Sequence, residues 1–164
     1  MNESMVPRDT FLEPSRVLVN MEPALITTVV GSAVAVTIWD NARHFGGMCH
    51  YIYPEIHEKE KTTVEYGNVA IYVLLKTMHE FGSKMRDLEA QIFGGAEPSD
   101  SDGRRTNGYE NVQSAFRSLQ KYRINIVADD TGGHVGRKIA FNTHKNEVVT
   151  YKVKRMRKED WHFV

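Results

Sequence analysis

A chain of 164 residues, 41% hydrophobic and 26% charged, has the make-up of one globular domain with a sizeable core, and it is too apolar to be disordered. Its 21 basic residues balance its 21 acidic ones, so the molecule as a whole offers no general attraction to nucleic acid or to an acidic membrane surface. The longest apolar run, Val69 to Leu75, is far short of the roughly 20 residues of a membrane span. Residues Met1 to Pro14 contain no apolar signal core, and the single Cys49 excludes an intramolecular disulfide and any multi-cysteine zinc site, so the expectation is a cytoplasmic protein.

Met1 to Pro14 is polar and reads as a flexible N-terminal arm. Arg16 to Asn20 is a short candidate strand, and Ala24 to Val30, β-branched and apolar, a buried one. Gly31-Ser32 interrupts the pattern before a strand over Ala33 to Trp39, with Asp40-Asn41 opening a turn. Gly46 to Tyr53 reads as a further strand closed by Pro54, and the charged stretch to Thr63 as an exposed loop. The apolar periodicity predicts a helix over Val64 to Phe81, covered on more than one side and stopped by Gly82. Leu88 to Phe93 is a strand running into Gly94-Gly95, and the polar segment up to Asn107 a loop. A second helix reaches Tyr122, with Val112, Ala115, Phe116 and Leu119 on one face. A strand over Ile124 to Ala128, a turn over Asp129 to Gly133, and a hairpin of Arg137 to Phe141 with Glu147 to Val153 complete the chain. The order predicts an α+β domain rather than a regular βαβ repeat.

No glycine-rich phosphate fingerprint, HExxH or GxSxG motif occurs, and His44, His50, His57, His79, His134, His144 and His162 lack metal-ligand spacing. Neither a metal nor an organic cofactor is expected. The unusual stretch is Thr27 to His50, where a Gly-Ser break separates apolar strands and a histidine sits on the next one. A histidine on an apolar strand is costly to bury unless its ring nitrogens find partners. On composition alone, a core histidine with satisfied hydrogen bonds is the commoner outcome than a catalytic one.

The segments TTVVGSAVAVTIWD and GGMCHYIYP resemble the signature of the CheD family, the chemoreceptor glutamine deamidases of bacterial chemotaxis. Thr27, Gly31, Ser32, Val34, Ala35, Val36, Asp40, Gly46, Met48, His50 and Pro54 fall in register with it. QIFGGA, GYENVQSAF and ADDTGGHVGRKIAF resemble later family blocks in the same order, so the resemblance spans roughly residues 15 to 155. It implies a single α+β domain with a β-rich mixed-sheet core and two flanking helices, similar to the catalytic domain of cytotoxic necrotizing factor. It implies a deamidase domain over 15–155 between an arm at 1–14 and a tail at 156–164. It also implies a Cys-His-Thr trio, in which the histidine is His50, the threonine orienting it is Thr27, and the nucleophile's place is taken by Ala33. A methyl group can neither attack nor leave, so the resemblance implies an inactive form, whether the alanine is engineered or natural. Backbone N–H groups around Gly31 and Ser32 are candidates for the oxyanion site.

Cys49 is adjacent to His50, but neighbours on a strand point to opposite faces, so it is expected to face away from the site. Thr27 and Thr28 are both good β-formers, and only the family register singles out Thr27. The implied partners are the signalling helices of chemoreceptors and a CheC-type phosphatase, the latter through the loop after Gly95; a non-catalytic adaptor is the alternative reading. The basic run Lys152 to Lys158 reads as a solvated tail rather than a nucleic-acid site.

Overall fold

In the computed structural model, residues 8–99 and 107–153 are described. The strands are β1 (Arg8–Phe11), β2 (Arg16–Asn20), β3 (Ala24–Val30), β4 (Val34–Asp40), β5 (Phe45–Tyr51), β6 (Leu88–Gly94), β7 (Asn125–Thr131), β8 (Gly136–Asn142) and β9 (Glu147–Val153). The helices are α1 (Gly67–Glu80) and α2 (Asn107–Lys121), with short 3₁₀ turns at Lys59–Lys61 and Met85–Asp87. One sheet has the order β1-β3-β8-β9 and the other β2-β5-β4-β6-β7. Both are mixed: β1 runs parallel to β3 and β6 parallel to β7, and the remaining pairs are antiparallel. The architecture is the single α+β domain expected.

The layering follows from which strands are apolar on both faces. β4 is buried at every position but Trp39, and β5 at every position. Val34, Val36 and Ile38 of β4, with Phe45, Cys49 and Tyr51 of β5, face a core completed by Ala70, Ile71, Leu74 and Met78 of α1 and Ala115 and Leu119 of α2. The alternate residues, Ala35 and Met48, face a second core with Ile26 and Val30 of β3 and Ile139 and Phe141 of β8. The order is therefore helices, five-stranded sheet, four-stranded sheet. The stripe predicted for α1 is wide because Ala70, Ile71, Leu74, Leu75 and Met78 are all buried.

Most ends shift by a residue or two, and three differences from the sequence reading have a physical reason or move an element. Arg8–Phe11, placed in the N-terminal arm by their polarity, form an edge strand, because backbone pairing with Ala24–Thr27 asks little of the side chains. Asp129–Thr131, read as a turn, still belong to β7, an exposed edge that tolerates acidic residues. The first helix starts at Gly67 rather than Val64. The tail at 156–164, most of the basic run and most of the polar loop before Asn107 lie outside the described residues.

Candidate active site

β3 and β5 belong to different sheets, and the site forms where they face one another. His50 pairs directly with Ala35 of β4 and, on the other side, with Arg16 of β2. Strand alternation puts it on the same face as Met48, towards the four-stranded sheet. Across the gap, Thr28 shares its face of β3 with Ile26 and Val30. Its Oγ1 lies 2.8 Å from His50 Nδ1 and donates to the carbonyl of Leu12 at 2.7 Å.

Proton counting fixes the histidine tautomer. A threonine hydroxyl has a single hydrogen, and a carbonyl can only accept. The Thr28 hydrogen therefore goes to Leu12, and His50 Nδ1–H donates to the Thr28 oxygen. The lone pair of His50 is left on Nε2, which has no hydrogen-bond partner among the described residues. His50 is 1% exposed, and burial lowers its pKa to about 4, so at neutral pH the ring is uncharged.

Thr27, which the family register nominated as the partner of His50, does not contact it. It pairs with Ala140 and lies on the opposite face of β3, and its hydroxyl makes no hydrogen bond among the described residues. The imidazole donates instead to the hydroxyl oxygen of Thr28. Alternation along β3 gave no warning, because Val29 and Val30 are both fully buried and the strand is apolar on both faces.

Ala33 immediately precedes β4, two residues from Ala35, and packs against the core between the sheets. That core also holds Ala35, the residue paired with His50, and Met48, which shares the His50 face of β5. The turn holding it is anchored through its carbonyls. Ala96 N–H donates to Gly31 O at 2.9 Å, Asn111 Nδ2 to Ser32 O at 2.9 Å, and Gly95 N–H to Ala33 O at 2.9 Å. The N–H groups of Gly31, Ser32 and Ala33 have no partners among the described residues. A side chain on Gly31 would meet nothing within 4 Å, so the backbone there is open to an approaching group.

Gly94 and Gly95 explain the glycine pair of the QIFGGA block. Both have positive φ, 114° and 70°, and a Cβ on Gly94 would lie 2.3 Å from Ala33 O. Arg137, 2% exposed, explains the later block: it donates to Gly94 O, Val135 O and Gly132 O and pairs with Asp130 at 3.2 Å. Asp40 is a turn residue, accepting from the N–H groups of Ala42 and Arg43 and from Ser83 Oγ.

Cys49 is fully buried in the core facing the helices, away from His50, and burial pushes its thiol up to about 12. It is neither exposed nor ionised, and so is no substitute nucleophile. Among the described residues no group of three or more His, Cys, Asp and Glu is placed to hold a metal, and no helix is long and apolar enough to cross a membrane. Two surface cavities, of about 470 Å³ beside Tyr72 and Tyr122 and about 250 Å³ beside Tyr109 and Phe116, include neither Ala33 nor His50.

A family model described as CheD chemotactic sensory transduction matches residues 53–152. The chain belongs to the CheD family. It is 35% identical over 147 residues to the probable chemoreceptor glutamine deamidase CheD of Sulfurimonas denitrificans, covering 88% of this chain and 94% of the relative. It is 40% identical to the protein of that name from Trichlorobacter lovleyi, over 83% of this chain and 85% of the relative. The chemoreceptor glutamine deamidase CheD of Thermotoga maritima is 32% identical over 80% of this chain and 83% of its own length. The matched segment of the CheD model begins after His50, whereas these relatives align with most of the chain.

Sequence reasoning missed Thr28, Leu12 and Asn111. Asn111 was legible in principle: it lies one helical turn before Ala115 on the buried stripe of α2.

Proposed function

We propose that this domain, over residues 15–155, is built to deamidate glutamine side chains on chemoreceptor signalling helices in the cytoplasm. We further propose that Ala33 leaves this form without its nucleophile. The observation that carries the reading is the Leu12–Thr28–His50 hydrogen-bond chain, which leaves the lone pair on Nε2 of a histidine facing the same between-sheet core against which Ala33 packs.

With a cysteine at that position the chemistry runs in two steps. Nε2 takes the thiol proton, the thiolate adds to the carboxamide carbon, and His50 returns the proton to the departing nitrogen, which leaves as ammonia. Water then attacks the thioester with His50 again as base, giving glutamate and restoring the thiol. The N–H groups of Gly31, Ser32 and Ala33, which have no partners among the described residues, would receive the oxyanion. Thr28 holds the ring as the third member of a triad does. With alanine at position 33 neither step proceeds, and removing a nucleophile from a comparable triad costs on the order of 10⁶ in turnover. No step calls for a cofactor.

Ala33 itself favours a second reading, in which the chain is a non-catalytic adaptor that binds receptor helices or a CheC-type phosphatase. Restoring the nucleophile as Ala33→Cys separates the two. Mass spectrometry of receptor peptides incubated with that variant is expected to show the glutamine-to-glutamate shift with release of ammonia. Binding without conversion, in a folded Ala33→Cys protein, would leave the adaptor.

A further inference from the structure

Position 33 lies just outside the β4–β5 ladder, whose last pair at that end is Val34 with Tyr51. No ladder hydrogen bond therefore sets its distance from the end of β5. The backbone anchors of the turn, Ala96 N–H to Gly31 O and Gly95 N–H to Ala33 O, come from the segment after β6, on the side away from β5.

Asn111 supplies the missing link. Its Nδ2 donates to Ser32 O at 2.9 Å and to Ile52 O at 3.1 Å. Ser32 adjoins position 33, and Ile52 lies just beyond His50. The Tyr51 hydroxyl donates to the Asn111 backbone carbonyl, which ties this turn of α2 to β5 as well. Only an amide NH₂ can meet two carbonyls at once, so the side chain cannot be flipped. Its Oδ1 is enclosed without a partner among the described residues, and the residue is fully buried. A buried acceptor left unpaired destabilises a fold, so as core filling the residue is a poor choice, and as a spacer between two carbonyls it is a good one.

We propose that Asn111 is a positioning residue, which sets the separation between the nucleophile position 33 and His50 by holding Ser32 and Ile52 together. The inference rests on the catalytic reading of the site given above.

The test uses the Ala33→Cys protein with and without Asn111→Ala. The rate of alkylation of the installed thiol by a neutral reagent is followed against pH, and ammonia release is followed against receptor-peptide concentration. Buried Cys49 serves as an internal monitor, since its alkylation reports unfolding. With Asn111 present, the thiol is expected to ionise well below the ordinary value of about 8.5, because a thiolate held beside Nε2 offsets the burial that keeps the ring uncharged when position 33 is alanine, and the two then form an ion pair. Asn111→Ala is expected to return its midpoint to that ordinary value while Cys49 stays protected. Ammonia release should fall about 10²-fold, the usual result of a 1 Å misplacement, through kcat with KM little changed. If Asn111→Ala exposes Cys49, Asn111→Ser replaces it; its hydroxyl can hold one of the two carbonyls, and a partial shift of the midpoint is expected. A folded variant that keeps both the low midpoint and the full kcat would overturn the proposal. An ordinary midpoint with Asn111 intact would instead sink the catalytic reading of the site, and this inference with it.

Discussion

Valine in place of Thr28 keeps the shape of the side chain and removes the oxygen that joins His50 to Leu12. Two buried groups then lose their partner, the Nδ1–H of His50 and the carbonyl of Leu12. An orphaned buried polar group costs about 1–3 kcal/mol, so Thr28→Val, which leaves two, should destabilise the fold by roughly 2–6 kcal/mol. Thr27→Val removes a hydroxyl that makes no hydrogen bond among the described residues, and valine suits a strand well. Its effect should stay within about 0.5 kcal/mol. Urea unfolding of both variants and the parent, compared at equal m-value, measures the contrast directly. In the Ala33→Cys protein, Thr28→Val should also slow ammonia release, because nothing then holds the imidazole in one tautomer. A larger cost for Thr27→Val than for Thr28→Val would mean that β3 meets His50 with its other face, and the account of the site would fail.

Two further outcomes follow from the same geometry. The pKa of His50 is lowered in the fold from 6.5 to about 4, so between those values the unfolded chain binds the extra proton and the native state does not. Stability is then fully present above pH 6.5 and declines as pH falls through that window, by about 3 kcal/mol at 1.36 kcal/mol per pKa unit; urea midpoints at pH 7 and pH 4 that differ no more in the parent than in a folded His50→Gln variant would contradict this. Gly94→Ala would place a Cβ 2.3 Å from Ala33 O at a φ of +114°, and should cost at least about 1–3 kcal/mol in thermal or urea denaturation; unchanged stability would show that the turn does not depend on this close approach.

Most of the fold was legible because its signals are local. β-branched runs marked β3 and β4, an apolar period marked α1, and the Gly-Ser break marked the turn before Ala33. β1 was not legible, since an edge strand held by backbone pairing leaves no hydrophobic pattern. At the site, the family register brought out His50 and Ala33; the structure buries His50 on β5 and packs Ala33, just before β4, against the core between the sheets. Thr28 was hidden for a physical reason: in a strand buried on both sides, period-two alternation no longer tells which threonine faces inward. Leu12 and the carbonyls of the turn act through their backbones, and side-chain identity says nothing about such roles.

The proton that fixes the His50 tautomer ends on Leu12, the residue just after β1, and β1 is joined to the rest of the sheet on one side only, by the register Arg8–Phe11 with Ala24–Thr27. The electronic state of a ring at the centre of the molecule is thus tied to the peeling of a short peripheral ribbon. Clipping that ribbon, or fusing to it a bulky partner that lifts Leu12 away, would leave the helix-facing core untouched, take one leucine from the core between the sheets, and free the Thr28 hydroxyl to turn its hydrogen towards the imidazole, reversing which ring nitrogen is the base.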